Sequence, residues 1–116
     1  MILGLGIDLV EIDRLQTQLR ENPALAARLF AASEIGLPAA SLAARFAVKE
    51  ALAKAVGDPR LLSWVEIELG KNELGKPELV LTGSTRKNVL RLGVGSMHVS
   101  ITHTDQTAAA VVILHD

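Results

Sequence analysis

The chain has 116 residues, 49% of them hydrophobic, with 12 Lys and Arg against 13 Asp and Glu for a formal net charge of −1. A balance this near neutrality, without a zinc-finger or RNA-platform motif, excludes wholesale polyanion binding, so nucleic acid is not expected as a partner. No cysteine is present, which excludes disulfides, thiolate metal sites and a thiol nucleophile, and no apolar run approaches the ~20 residues needed to span a bilayer.

Met1 leads straight into a patterned segment, so no signal peptide is expected and a cytoplasmic protein is anticipated. Residues 2–10 read as a strand. Leu3, Leu5, Ile7 and Leu9 make the apolar face that a half-buried strand requires, and Ile2, Gly4, Gly6, Asp8 and Val10 make the other. A helix follows over 11–20, with Ile12, Leu15 and Leu19 as its buried stripe. Asn22-Pro23 starts a second helix over 24–30, and Ser33 to Pro38 reads as a short helical turn ended by the proline. The strongest helix begins at Ser41, a candidate cap, and ends at Gly57. Thereafter the pattern turns to strand: WVEIEL from Trp64, a turn at Leu74-Gly75-Lys76-Pro77, then ELVLTG. STRKNVLRLG fits a short helix capped by Ser84 and closed by Gly93. MHVSITHT and TAAAVVIL face each other across Asp105-Gln106 as a hairpin. One strand, a block of helices and then mostly strands is an α+β order: a small antiparallel sheet packed with a long helix and several short ones, in one domain over 1–116. Mean hydropathy is +0.32, and so small a domain cannot bury that much apolar surface alone, so association between copies is expected.

Three stretches carry candidate chemistry. Gly4 and Gly6 share a face with Asp8, and glycine in a strand often marks close approach by a ligand or another backbone; the expectation is a trough beside Asp8 that a ligand fills. The segment resembles a dinucleotide fingerprint only superficially, since Leu9 stands at the third glycine and no βαβ unit follows. The long helix carries Arg45, Lys49, Glu50 and Lys54 yet has no polar face, so its charges need partners or a task. Glu50 and Lys54 project together, whereas Arg45 lies ~140° round the helix from Glu50. In HVSITHT, His98, Ser100 and Thr102 alternate with Val99, Ile101 and His103, which rules against a two-histidine metal site and against a triad of Ser100, His103 and Asp105. Carboxylates, lysine, arginine and a histidine with hydroxyls suit Mg²⁺ with substrate phosphates, and hence metal-assisted phosphoryl-type transfer.

Taken in order, GIDLVEI, RFAVKEALAK, GKP and HVSITHT resemble holo-acyl-carrier-protein synthase, the small trimeric type of 4′-phosphopantetheinyl transferase. The resemblance implies Mg²⁺-dependent transfer of the 4′-phosphopantetheine arm of coenzyme A to a serine of an apo acyl carrier protein, or a synthase carrier domain, in fatty-acid biosynthesis. It also implies a homotrimer with sites between subunits, the histidine strand coming from the neighbour. By the same resemblance Asp8 and Glu50 match the metal carboxylates and Lys54 the lysine that contacts the pyrophosphate. Arg45, Thr102 and His103 match nucleotide-side positions, and Arg14, Arg20 and Arg28 lie where the family docks its acidic carrier. Two departures stand out: a short connection between Phe30 and Arg45, and Val-Gly-Asp-Pro after Lys54 in place of a glycine-rich turn. The rival reading is a non-catalytic trimer that binds coenzyme A or a nucleotide as a sensor.

Overall fold

The computed structural model describes residues 1–116, and its centre is a long helix laid across an antiparallel sheet. In chain order the elements are β1 (Ile2–Glu11), α1 (Ile12–Glu21), α2 (Pro23–Leu29), α3 (Ala39–Val56), β2 (Ile67–Lys71), β3 (Pro77–Leu81), α4 (Gly83–Arg91), β4 (Ser96–His103) and β5 (Thr107–His115). One sheet has the order β1-β5-β4; β2 and β3 form a separate two-stranded ribbon. All pairings are antiparallel, so the α+β order expected from the sequence is the observed one. No helix is long and apolar enough to cross a membrane.

The sheet's two faces reverse the expected roles of β1. Gly6 and Val10 are buried against α3, with Gly4 and Asp8 half-buried on the same side, whereas Leu5, Ile7 and Leu9 are 62%, 66% and 68% exposed. Period two separates the faces, but what packs on each is decided by distant chain. Here the alanine-rich α3 takes the glycine side. A Cβ on Gly6 would lie 1.8 Å from the Ala51 carbonyl oxygen, and one on Gly4 would lie 2.1 Å from that of Ala55. The space beside the two glycines is therefore filled by helix backbone, and the expected ligand trough there does not exist.

Several boundaries also move. Helix α3 starts at Ala39 after Pro38, so Ser41 lies inside it and caps nothing. Gly57, with φ +87°, closes the helix as expected, its N–H donating to the Ala53 carbonyl. Residues Ser33 to Gly36 form turns without a helix, and Trp64–Glu66 is a 3₁₀ turn ahead of β2. The N-terminus of α4 is capped from afar: the Glu66 carboxylate accepts hydrogen bonds from the backbone N–H and hydroxyl groups of Ser84 and Thr85. Those bonds hold the Glu66 carboxyl below its ordinary value. The buried core joins Val48 and Leu52 of α3 to Val112 and Leu114 of β5 and includes the fully buried Phe30 and Ile67.

Candidate active site

Strand β1 and helix α3 each contribute a carboxylate to one cleft of about 420 Å³, lined by Asp8, Glu11, Arg14, Gln18, Phe46 and Glu50 among others. Asp8 reaches it because alternation puts residue 8 on the same side as the two glycines that admit the helix. Glu50 reaches it because Phe46, Glu50 and Lys54 form one i, i+4 row of α3. Lys54 Nζ donates to Asp8 Oδ1 at 3.1 Å and to the Ile7 carbonyl at 2.9 Å. The pair is therefore Lys54 with Asp8, not the local Glu50–Lys54 pair that spacing alone suggests. Burial pushes the Glu50 carboxyl above its ordinary value, Asp8 pushes it further, and Lys54 opposes both.

Two carboxylates lining one cleft, one of them made costlier to ionise by the other, form a site that favours a cation. Their hard oxygens suit Mg²⁺, which keeps several waters and takes one or two protein carboxylates plus substrate phosphates. No group of three or more acidic, His or Cys side chains is placed to enclose a metal. The donor set thus fits an ion shared with a phosphate ligand rather than one held entirely by protein.

The other candidate residues lie elsewhere. Arg45 turns toward the opposite side of α3, its guanidinium donating to the Ser41 carbonyl at 3.3 Å and its Nε standing 3.8 Å from Glu34 Oε2. His103 and Thr102 are exposed at the end of β4, separated from β1 by β5. Pairing through β5 places Thr102 in one row with Ala109 and Leu9, on the exposed face, and His103 in one row with Ala108 and Val10, on the helix side. Arg14 lines the carboxylate cleft. Arg20 is exposed on α1, bonded to Thr17 Oγ1 at 3.3 Å, and Arg28 is exposed on α2.

Two groupings escaped the sequence reading. Lys76 and Pro77 meet His98 and Ser100 around a second cleft of about 400 Å³; the GKP segment carried the only hint. Behind α3, Lys49 and Glu34 form a buried ion pair at 2.6 Å, and fifteen residues of separation leave no local signal for it.

Residues 4–112 match the family model described as the 4′-phosphopantetheinyl transferase superfamily. A holo-[acyl-carrier-protein] synthase of Streptomyces coelicolor is 48% identical over 97% of this chain and 96% of its own length. Among solved structures, the holo-[acyl-carrier-protein] synthase of Neisseria meningitidis superposes with a TM-score of 0.91 at 32% identity, covering all of both chains. That of Helicobacter pylori, solved in complex with coenzyme A, gives 0.82 at 30% identity over 96% of this chain and 99% of its own.

Proposed function

Given that the chain belongs to the 4′-phosphopantetheinyl transferase superfamily, with holo-acyl-carrier-protein synthases as its relatives, we propose that the cleft between β1 and α3 is where its reaction occurs. The reaction is transfer of the 4′-phosphopantetheine arm of coenzyme A to a serine of apo acyl carrier protein. The serine hydroxyl gives up its proton to a base as its oxygen forms a bond to the pantetheine-side phosphorus. The pyrophosphate P–O bond breaks, and adenosine 3′,5′-bisphosphate leaves with the bonding pair. The observation that carries the assignment is the convergence of Asp8 and Glu50 from two elements on one cleft, with Lys54 hydrogen-bonded to Asp8.

Loose phosphoryl-transfer transition states need positioning and charge compensation more than covalent help. Asp8 and Glu50 would hold Mg²⁺, which when bound neutralises the pyrophosphate and polarises its oxygens. Lys54, more than half exposed and resting on Asp8, is free to turn its ammonium to the phosphate that takes up charge. Arg14 at the mouth of the same cleft, with Arg20 and Arg28 beyond it, offers a cationic approach for an acidic carrier and speeds encounter more than it tightens binding.

The assembly belongs to the same proposal. The uncovered face of β1 continues across the sheet: Leu5, Ile113 and His98 share one row, and Ile7, Val111 and Ser100 the next. A homotrimer built on this face covers the exposed leucines and brings the Thr102–His103 strand end of one copy to the carboxylate cleft of another. In that setting Arg45, Thr102 and His103 serve the nucleotide side of coenzyme A.

The test is direct. Incubated with coenzyme A, Mg²⁺ and apo carrier, the protein should add one phosphopantetheine arm to the carrier, read as intact mass. An unchanged carrier mass with coenzyme A still bound to the protein would overturn the transferase reading in favour of a sensor.

A further inference from the structure

Helix α3 meets a different environment on each of four i, i+4 rows around its axis, successive residues being turned by ~100°. Ala51 and Ala55 press their backbone onto Gly6 and Gly4. Ala44, Val48 and Leu52 lie in the core. Phe46 and Glu50 line the carboxylate cleft, and Arg45 and Lys49 meet Glu34. The sheet-facing row consists of methyl groups and bare backbone. Such a seam fixes how closely the helix approaches but interlocks too shallowly to fix its rotation, and generic apolar packing on the core row adds little specificity.

Lys49 supplies a rotational stop. Only 1% exposed, its ammonium donates to Glu34 Oε1 at 2.6 Å, to the Leu29 carbonyl at 2.8 Å and to the Trp64 carbonyl at 2.9 Å, and it sits 5.1 Å from the centre of the Phe30 ring. The acceptors come from the end of α2, the turn that follows it, and the 3₁₀ turn at Trp64. Glu34, 3% exposed, also accepts from the Ala31 N–H at 2.9 Å, which ties its loop down. A buried cation with three fixed acceptors permits little roll, because each lost bond strands a polar group away from water.

We infer that Lys49 is a positioning residue for the transfer reaction: held by Glu34 and two backbone carbonyls, it sets the rotation of α3 and thereby aims Glu50 and Lys54 at Asp8. Lys49 itself touches no substrate. The inference rests on the assignment of Glu50 and Lys54 to the reaction, and it adds that an ion pair behind the helix controls the geometry in front of it.

Lys49→Met alone leaves the Glu34 carboxylate buried without its partner and risks unfolding the chain. The double variant Glu34→Gln/Lys49→Met removes both charges and keeps an acceptor for the Ala31 N–H. Assayed at a temperature where circular dichroism shows it folded, the double variant loses kcat roughly 10- to 100-fold, the scale of an ångström-sized misplacement. Its KM for coenzyme A stays within about twofold, the signature of an interaction lost only in the transition state. A folded double variant with the parental kcat, or one in which only KM rises, overturns the inference. A double variant without cooperative folding also counts against it, since the pair would then hold the fold and not the aim. An inactive parent in the same assay would defeat the functional reading itself, and the inference with it.

Discussion

Glu50 is the residue whose surroundings most constrain the chemistry. Burial and the Asp8 charge raise its pKa above the ordinary 4.5, and the proposed Mg²⁺ site uses its anion. Mg²⁺ binding to the free protein should therefore strengthen with rising pH through a range displaced above the usual carboxylate one, and Asp8→Asn, which weakens that binding, should move the range down. Glu50→Gln should lower kcat by about 100-fold or more, the scale of several kcal/mol of lost electrostatic stabilisation, with an unchanged circular dichroism spectrum. The same shift bears on stability. Between its unfolded and folded pKa values the native state binds the proton more tightly, so stability falls as pH rises through that window. Glu50→Gln cannot ionise and escapes that loss. Its melting temperature should exceed the parent's at pH 7, and the gap should close on approach to pH 4. Asp8, Glu50 and Lys54 were legible in the sequence because each sits in a short motif. Lys49 was legible only as a charge on an apolar helix, since its partner Glu34 lies beyond any local pattern.

Among the elements, β1 and α3 set the site's geometry, and their contact is the feature that sequence periodicity misjudged. Alternation identified two faces of β1 correctly, and the glycines correctly marked a close approach. The approaching group is the backbone of α3 and not a ligand. Gly6→Ala should accordingly destabilise the fold by about 1–3 kcal/mol, the ordinary range for overpacking, because its methyl would meet main chain that cannot rotate aside. Urea denaturation measures this as a lower midpoint with an unchanged slope. The start of α4 illustrates another limit. Ser84 looked like a cap from its position alone, but the capping carboxylate is that of Glu66, eighteen residues earlier. The end of α3 at Gly57, the turn around Gly75 and the β4–β5 hairpin were all readable, because left-handed glycines and short reversals are written locally.

For the whole molecule, the apolar excess noted from composition is most continuous on the face of β1 that carries Leu3, Leu5, Ile7 and Leu9, with Leu74, Leu90 and Leu92 exposed singly elsewhere. Light scattering on the purified protein should give a mass close to three times 12.3 kDa. Leu5→Glu should shift that mass toward a single copy by setting like charges against one another at the centre of the assembly. The same variant should lose transfer by at least about tenfold, because the strand end carrying Thr102 and His103 no longer reaches a neighbour's cleft. A trimer that survives the substitution with full activity would count against this face as the interface. The glycine–alanine seam between β1 and α3 has one more implication. Since the two carboxylate-bearing elements touch main chain to main chain, with no side chain as a spacer, their separation is insulated from sequence drift elsewhere in the domain. Arginines on α1 and α2 can be exchanged to suit a different carrier without disturbing the distance between the acids, so recruitment of new clients and preservation of the chemistry are separable problems for this fold.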